Sequence, residues 1–91
     1  MSDRITNKHL ECTIARINRM TGNNESAYSK VSGKLRGNIG NYHLDQAYGG
    51  VSLVQMVSES GGVTVVIGRG TKRELHDKMQ AFIAGIEVNH V

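Results

Sequence analysis

Ninety-one residues, 38% of them hydrophobic and only 4% aromatic, suffice for one small domain, 1–91, with a modest core. A chain of this length excludes a two-domain enzyme, a barrel around a deep cofactor cavity and a doubly wound nucleotide-binding sheet. Eleven Lys and Arg against eight Asp and Glu leave a formal charge of +3, which is basic but short of a charge-driven polyanion binder.

The distribution of charge says more than the total. Through Gly40 stand Arg4, Lys8, Arg16, Arg19, Lys30, Lys34 and Arg36 against Asp3, Glu11 and Glu25, and from Ser26 to Leu44 the three cations Lys30, Lys34 and Arg36 meet no acid. That stretch carries an unneutralised positive field and reads either as a solvated loop or as a contact for an anionic partner. No apolar run is long enough to cross a bilayer, and the polar start Met1-Ser2-Asp3-Arg4 lacks the pattern of an export signal. A single cysteine, Cys12, forms no internal disulfide and suits a reducing compartment. The expectation is a cytoplasmic protein with no membrane partner.

In chain order, Leu10, Thr13, Ile14 and Ile17 recur at helical spacing and predict a helix over about 6–20, capped by Thr6 and ended by Gly22. Residues 23–38 hold two glycines, several Ser and Asn, and only Val31 and Leu35 as scattered apolar anchors, which predicts a long basic connection, with room for a helical turn. The period then changes to two. Tyr42, Leu44 and Tyr48 share one face of a first strand and His43, Asp45 and Ala47 the other, with Gly49-Gly50 as the bend. Val51 to Val57 place Val51, Leu53 and Val57 on one face and Val54 and Met56 on the other, the pattern of a central strand. After the turn at 58–62, Val63, Val65 and Ile67 alternate with Thr64 and Val66 in a third strand.

Thr71-Lys72-Arg73-Glu74 fits a capping box, and Leu75, Met79, Phe82, Ile83 and Ile86 form the apolar stripe of a closing helix. Phe82, the only Phe, is expected to make the largest single core contribution. The predicted fold is α+β in the order α-β-β-β-α, a three-stranded antiparallel meander with both helices packed on one face. Val54, Met56 and Val66 would then lie on an uncovered face, which predicts a homo-oligomer, a dimer, or a host or phage protein that covers it.

Candidate chemistry concentrates at 68–73. The free amides and positive dipole end of the last helix, flanked by Arg69, Gly70, Thr71, Lys72 and Arg73, are suited to an anion, and the glycines allow close backbone approach. With Lys30, Lys34 and Arg36 they form the candidate nucleic-acid contacts. The alternative is a tight strand-to-helix turn whose glycines serve geometry alone. Four histidines and Cys12 show no second pair at ligand spacing beside His9 and Cys12, so no metal is expected. No Gly-x-Ser-x-Gly elbow and no paired carboxylates occur, Cys12 beside Glu11 lacks an electropositive setting, and neither catalysis nor a cofactor is expected. Tyr28, Tyr42 and Tyr48 beside the basic stretch are candidates for base stacking or for ordinary packing.

Two resemblances follow from particular residues. Leu44-Asp45-Gln46-Ala47-Tyr48-Gly49-Gly50-Val51-Ser52-Leu53, with Thr71-Lys72-Arg73-Glu74-Leu75 through Ala81-Phe82-Ile83-Ala84-Gly85-Ile86, resembles small uncharacterised proteins of bacteriophages and prophages. It implies an accessory protein acting in the cytoplasm of a bacterial host, one possible role being inhibition of a host defence enzyme. The α-β-β-β-α order and Gly68-Arg69-Gly70-Thr71-Lys72-Arg73 are similar to the double-stranded-RNA-binding domain, whose last helix touches phosphates across a groove. This chain is one residue shorter between Gly70 and Thr71, carries His76 where that family has a further Lys, and lacks proline. The function expected from these readings is a non-enzymatic module that binds an anionic partner, above all nucleic acid; the alternative is a self-associating interaction or assembly subunit.

Overall fold

A computed structural model describes residues 4–47 and 49–89. Helix α1 (Asn7–Thr21) begins on Thr6, whose hydroxyl accepts from the His9 N–H at 3.3 Å while the Thr6 N–H donates to His9 Nδ1 at 3.2 Å. It ends at Gly22, left-handed at φ 76°, whose N–H donates to Arg19. A central meander follows, β3 (Tyr42–Ala47), β4 (Gly50–Met56) and β5 (Val63–Gly70), antiparallel in the order β3-β4-β5, and α2 (Lys72–Asn89) closes the chain. The α+β order and the meander expected from the alternation of period are therefore present.

The predicted connection over 23–38 is instead largely a β-hairpin, β1 (Tyr28–Val31) and β2 (Lys34–Gly37), which forms a separate two-stranded sheet. The reason is local. Val31 pairs with Lys34, and the intervening Ser32 and Gly33 both take positive φ, 52° and 79°, as a two-residue hairpin turn requires. Four-residue strands with one or two apolar side chains each leave too little alternation to stand out from a polar loop. Tyr48, placed by its spacing on the face of Tyr42, lies outside the described residues.

The core lies between the meander and the helices: Leu10, Ile14 and Ile17 of α1 and Leu75, Met79 and Ile83 of α2 close over Val51 and Leu53 of β4. Helix α1 lies over β3, and α2 lies over β4 and β5. Phe82 is only partly buried, with its ring edge-to-face on Tyr42 at 5.8 Å between centroids, because it flanks the stripe that the smaller Leu75, Met79 and Ile83 occupy. Strand β5 does not alternate as expected. Register shifts beside Leu53 give β5 extra residues, so Val66 and Ile67 both turn toward the helices and Val65 faces away.

The uncovered far face expected at Val54, Met56 and Val66 is thus much reduced. Val66 packs on the helical side, and Met56 is sealed by the root of the hairpin, where a Cβ on Gly37 would come 2.8 Å from Met56 Sδ and 2.7 Å from the Ser58 carbonyl oxygen. Val54 is buried as well, and Val63 and Val65 remain exposed.

Asn18, 1% exposed, joins the layers: its Nδ2 donates to the Tyr42 carbonyl at 2.9 Å and its Oδ1 accepts from the Tyr42 N–H at 2.8 Å. Asn18→Ala leaves both backbone groups unpaired and is expected to cost about 2–3 kcal/mol in urea unfolding. Met79→Ala should cost about 2–5 kcal/mol and Phe82→Ala less than that, reversing the order that residue size alone suggests.

Candidate nucleic-acid interface

The start of α2 is built by its own side chains. Glu74 N–H donates to the Thr71 hydroxyl at 3.1 Å, and Glu74 Oε1 accepts from the Thr71 N–H at 2.8 Å. The carboxyl of Glu74 is held below the usual 4.5, first by the backbone bond from Thr71 and then by the Thr71 side chain. The anion expected at this helix end is therefore supplied by the chain itself. Gly70 serves that contact, since a Cβ there would approach Glu74 Oε1 at 3.1 Å.

The three cations expected to converge here point to different surroundings. Arg69 Nη2 lies 3.7 Å from Asp45 Oδ2, across the sheet. Lys72 borders a shallow hollow with Asn7, Gln46 and Gly50. Arg73 is exposed on the first turn of α2.

The second set of candidates, Lys30, Lys34 and Arg36, sits on the hairpin. Lys30 opposes Leu35, Val31 opposes Lys34 and Ser29 opposes Arg36, so Lys30 lies on one face of the ribbon and Lys34 and Arg36 on the other. Beyond its root the hairpin packs on no other strand or helix to any extent, and its side chains stay wet, Leu35 being 64% exposed. The root is firmly seated. Gly37 N–H donates to the Glu59 carbonyl at 2.8 Å, Asn38 N–H to that of Ala27 at 2.8 Å, and Asn38 Nδ2 to Ser26 O at 2.8 Å and Ser29 Oγ at 2.9 Å. Arg36 Nη1 meets Glu59 Oε2 at 2.9 Å, an exposed pair worth about 0–1 kcal/mol and readily exchanged for another anion.

The two basic groups do not form one site. The hairpin roots at the Met56 end of β4, while Gly70 and the start of α2 lie beside Val51 at the other end. Five residue steps of strand separate Val51 from Met56, about 17 Å at roughly 3.3 Å per residue. Sequence proximity carries no hint of this; the antiparallel course of β4 and β5 decides it.

Of the tyrosines, Tyr28 is half exposed on the hairpin with its hydroxyl against Gly61, whereas Tyr42 is committed to Phe82 and Asn18. His9 caps α1, Cys12 is exposed, and His43 Nδ1 lies 3.0 Å from Asn41 Oδ1. Burial lowers the His43 pKa from 6.5, opposed by Asp45. Among the described residues no group of three or more His, Cys, Asp or Glu is placed to hold a metal ion, and no helix is long and apolar enough to cross a membrane. Comparison with protein-family models, with curated proteins and with solved structures finds no match to this chain.

Because the folded-state pKa of Glu74 is depressed, its contribution is present above 4.5 and is lost as pH falls through the lowered value. As the pH falls below about 4.5 the urea midpoint of the native protein should fall more steeply than that of Glu74→Gln, which has no charge to lose there.

Proposed function

We propose that this protein is a non-enzymatic binding module that engages nucleic acid through the β1–β2 arm. The observation that carries the reading is a two-stranded ribbon standing off the core, with Lys30, Lys34 and Arg36 on its two faces and no acid of its own. A two-stranded ribbon fits a major groove about 12 Å wide, and cations on both faces reach phosphates whichever face is turned to the backbone. Val31 and Leu35 beside the turn provide apolar contact for a groove floor or a splayed base, and Tyr28 an aromatic surface nearer the root. Arg36 joins by exchanging Glu59 for phosphate.

Arg69, Gly70, Thr71, Lys72 and Arg73 have a lesser part in this reading, since Glu74 already neutralises the helix end and Asp45 holds Arg69. The likeness of 44–53 and 71–86 to phage proteins supports a place for this activity in the cytoplasm of a bacterial host.

Binding to short duplex DNA, single-stranded DNA and duplex RNA, followed by fluorescence anisotropy, tests the proposal. With up to three cations engaged, log K against log salt should have a slope of about −2 to −3, and Lys30→Ala with Lys34→Ala should flatten it by about two. Lys72→Ala should change it little. Equal loss from the hairpin and helix variants, or binding indifferent to salt, speaks against the arm.

A further inference from the structure

A hollow lies beside the free edge of β3 under one flank of α1. Asn7, Glu11, Ala15 and Asn18 recur at spacings of four, four and three and share that flank, opposite the side on which Arg16 meets Glu87 of α2. Glu11, Ala15 and Asn18 border a hollow of about 250 Å³ beside Leu44, and Asn7 borders a second, about 260 Å³, which Gln46 and Ala47 share with Gly50 and Val51 of β4 and Lys72 of α2.

The hydrogen-bonding pattern shows what the edge lacks. Tyr42 turns its N–H and carbonyl away from β4, and both are taken by Asn18. By the alternation of an antiparallel ladder, Leu44 and Gln46 turn theirs the same way, and among the described residues no partner meets them. Asn18 thus imitates one residue of a neighbouring strand, and the next two positions of that strand are vacant. Each has a donor and an acceptor in strand geometry.

A second copy of this chain does not fit there. Two-fold pairing of β3 with β3 would set the strands about 4.8 Å apart, each with its α1 directly above, whereas packed helices need about 8–10 Å between axes. A single extended segment with no helix above it does fit. Charge narrows its chemistry: Glu11 forms no ion pair among the described residues and borders the Leu44 hollow, where Glu25 is already met by Arg19 at 3.3 Å, while Lys72 borders the Gln46 hollow.

We propose that the β3 edge binds an extended segment of another protein as an added strand, hydrogen-bonded to Leu44 and Gln46, with a Lys or Arg side chain toward Glu11. The site is independent of the hairpin arm and stands whether or not that arm binds nucleic acid.

The probe is a displayed library of random peptides about eight residues long, roughly one to two strand lengths, selected against the intact protein. Selected peptides should carry Lys or Arg, slow amide hydrogen exchange at Leu44 and Gln46 by about tenfold or more, and leave exchange at Lys30 and Lys34 unchanged. Gln46→Pro removes the outward N–H without removing a ladder bond and should abolish binding. Peptides N-methylated on the edge facing β3 should likewise fail against the unaltered protein, which keeps the test decisive if the proline variant does not fold. Glu11→Lys should weaken the basic peptides by about tenfold. Failure of the library to enrich, equal binding to Gln46→Pro, protection at the hairpin instead of β3, or protection of Leu44 and Gln46 by self-association without peptide would each overturn the proposal.

Discussion

The carboxamide of Asn18 meets both outward backbone groups of Tyr42, at 2.8 and 2.9 Å, and thereby fixes α1 over an edge strand that has no strand beyond it. A buried amide so placed contributes through geometry more than through net energy, because its loss leaves polar groups stranded at the margin of the core. From this contact follow the alignment of Leu10, Ile14 and Ile17 over the sheet, the edge-to-face seat of Phe82 on Tyr42, and the overhang that roofs the rest of β3. A neighbouring asparagine continues the joint. Asn41 Nδ2 donates to Asn24 O at 2.6 Å, and the Asn41 carbonyl accepts from the Met56 N–H at 2.8 Å, which ties the exit of α1 and the entry to β3 to the end of β4.

The root of the hairpin is held by the same region. Gly40 N–H donates to the Met56 carbonyl; a side chain at Gly37 would run into Met56 and the Ser58 carbonyl oxygen, and Gly40 takes φ 98°, a conformation strained for any side chain. The hairpin is therefore rigidly planted and free beyond its root, a geometry suited to reaching a partner without disturbing the core. Its positive charge is separated along β4 from that of the α2 start. The field of the molecule is accordingly two separate patches, one projecting and one largely neutralised by Glu74 and Asp45.

Much of the architecture was legible because its signals are local. Thr6 and Gly22 bound α1, the Thr71 to Glu74 capping box opens α2, and the period-two runs at 42–47 and 50–56 give β3 and β4. The hairpin at 28–37 was not legible from hydrophobic pattern, since it buries almost nothing; the one available signal was Ser32-Gly33, a dipeptide suited to positive φ that four-residue flanks do little to reinforce. The bulges of β5 left no trace either, because Val65, Val66 and Ile67 are all β-branched and satisfy any register.

Of the candidate site, the residue types were readable and their grouping was not. The basic stretch over 26–44 and the glycine-flanked turn at 68–73 can be named from composition and cap chemistry, which depend on neighbours a few residues apart. That they lie at opposite ends of β4, that Arg69 turns to Asp45, and that Asn18 closes one residue of the β3 edge while Leu44 and Gln46 stay open depend on contacts between distant parts of the chain. Local rules thus determined the elements and their order. Tertiary packing alone decided which polar groups and charges are already satisfied, because each one's partner is supplied by whichever distant segment the fold brings beside it.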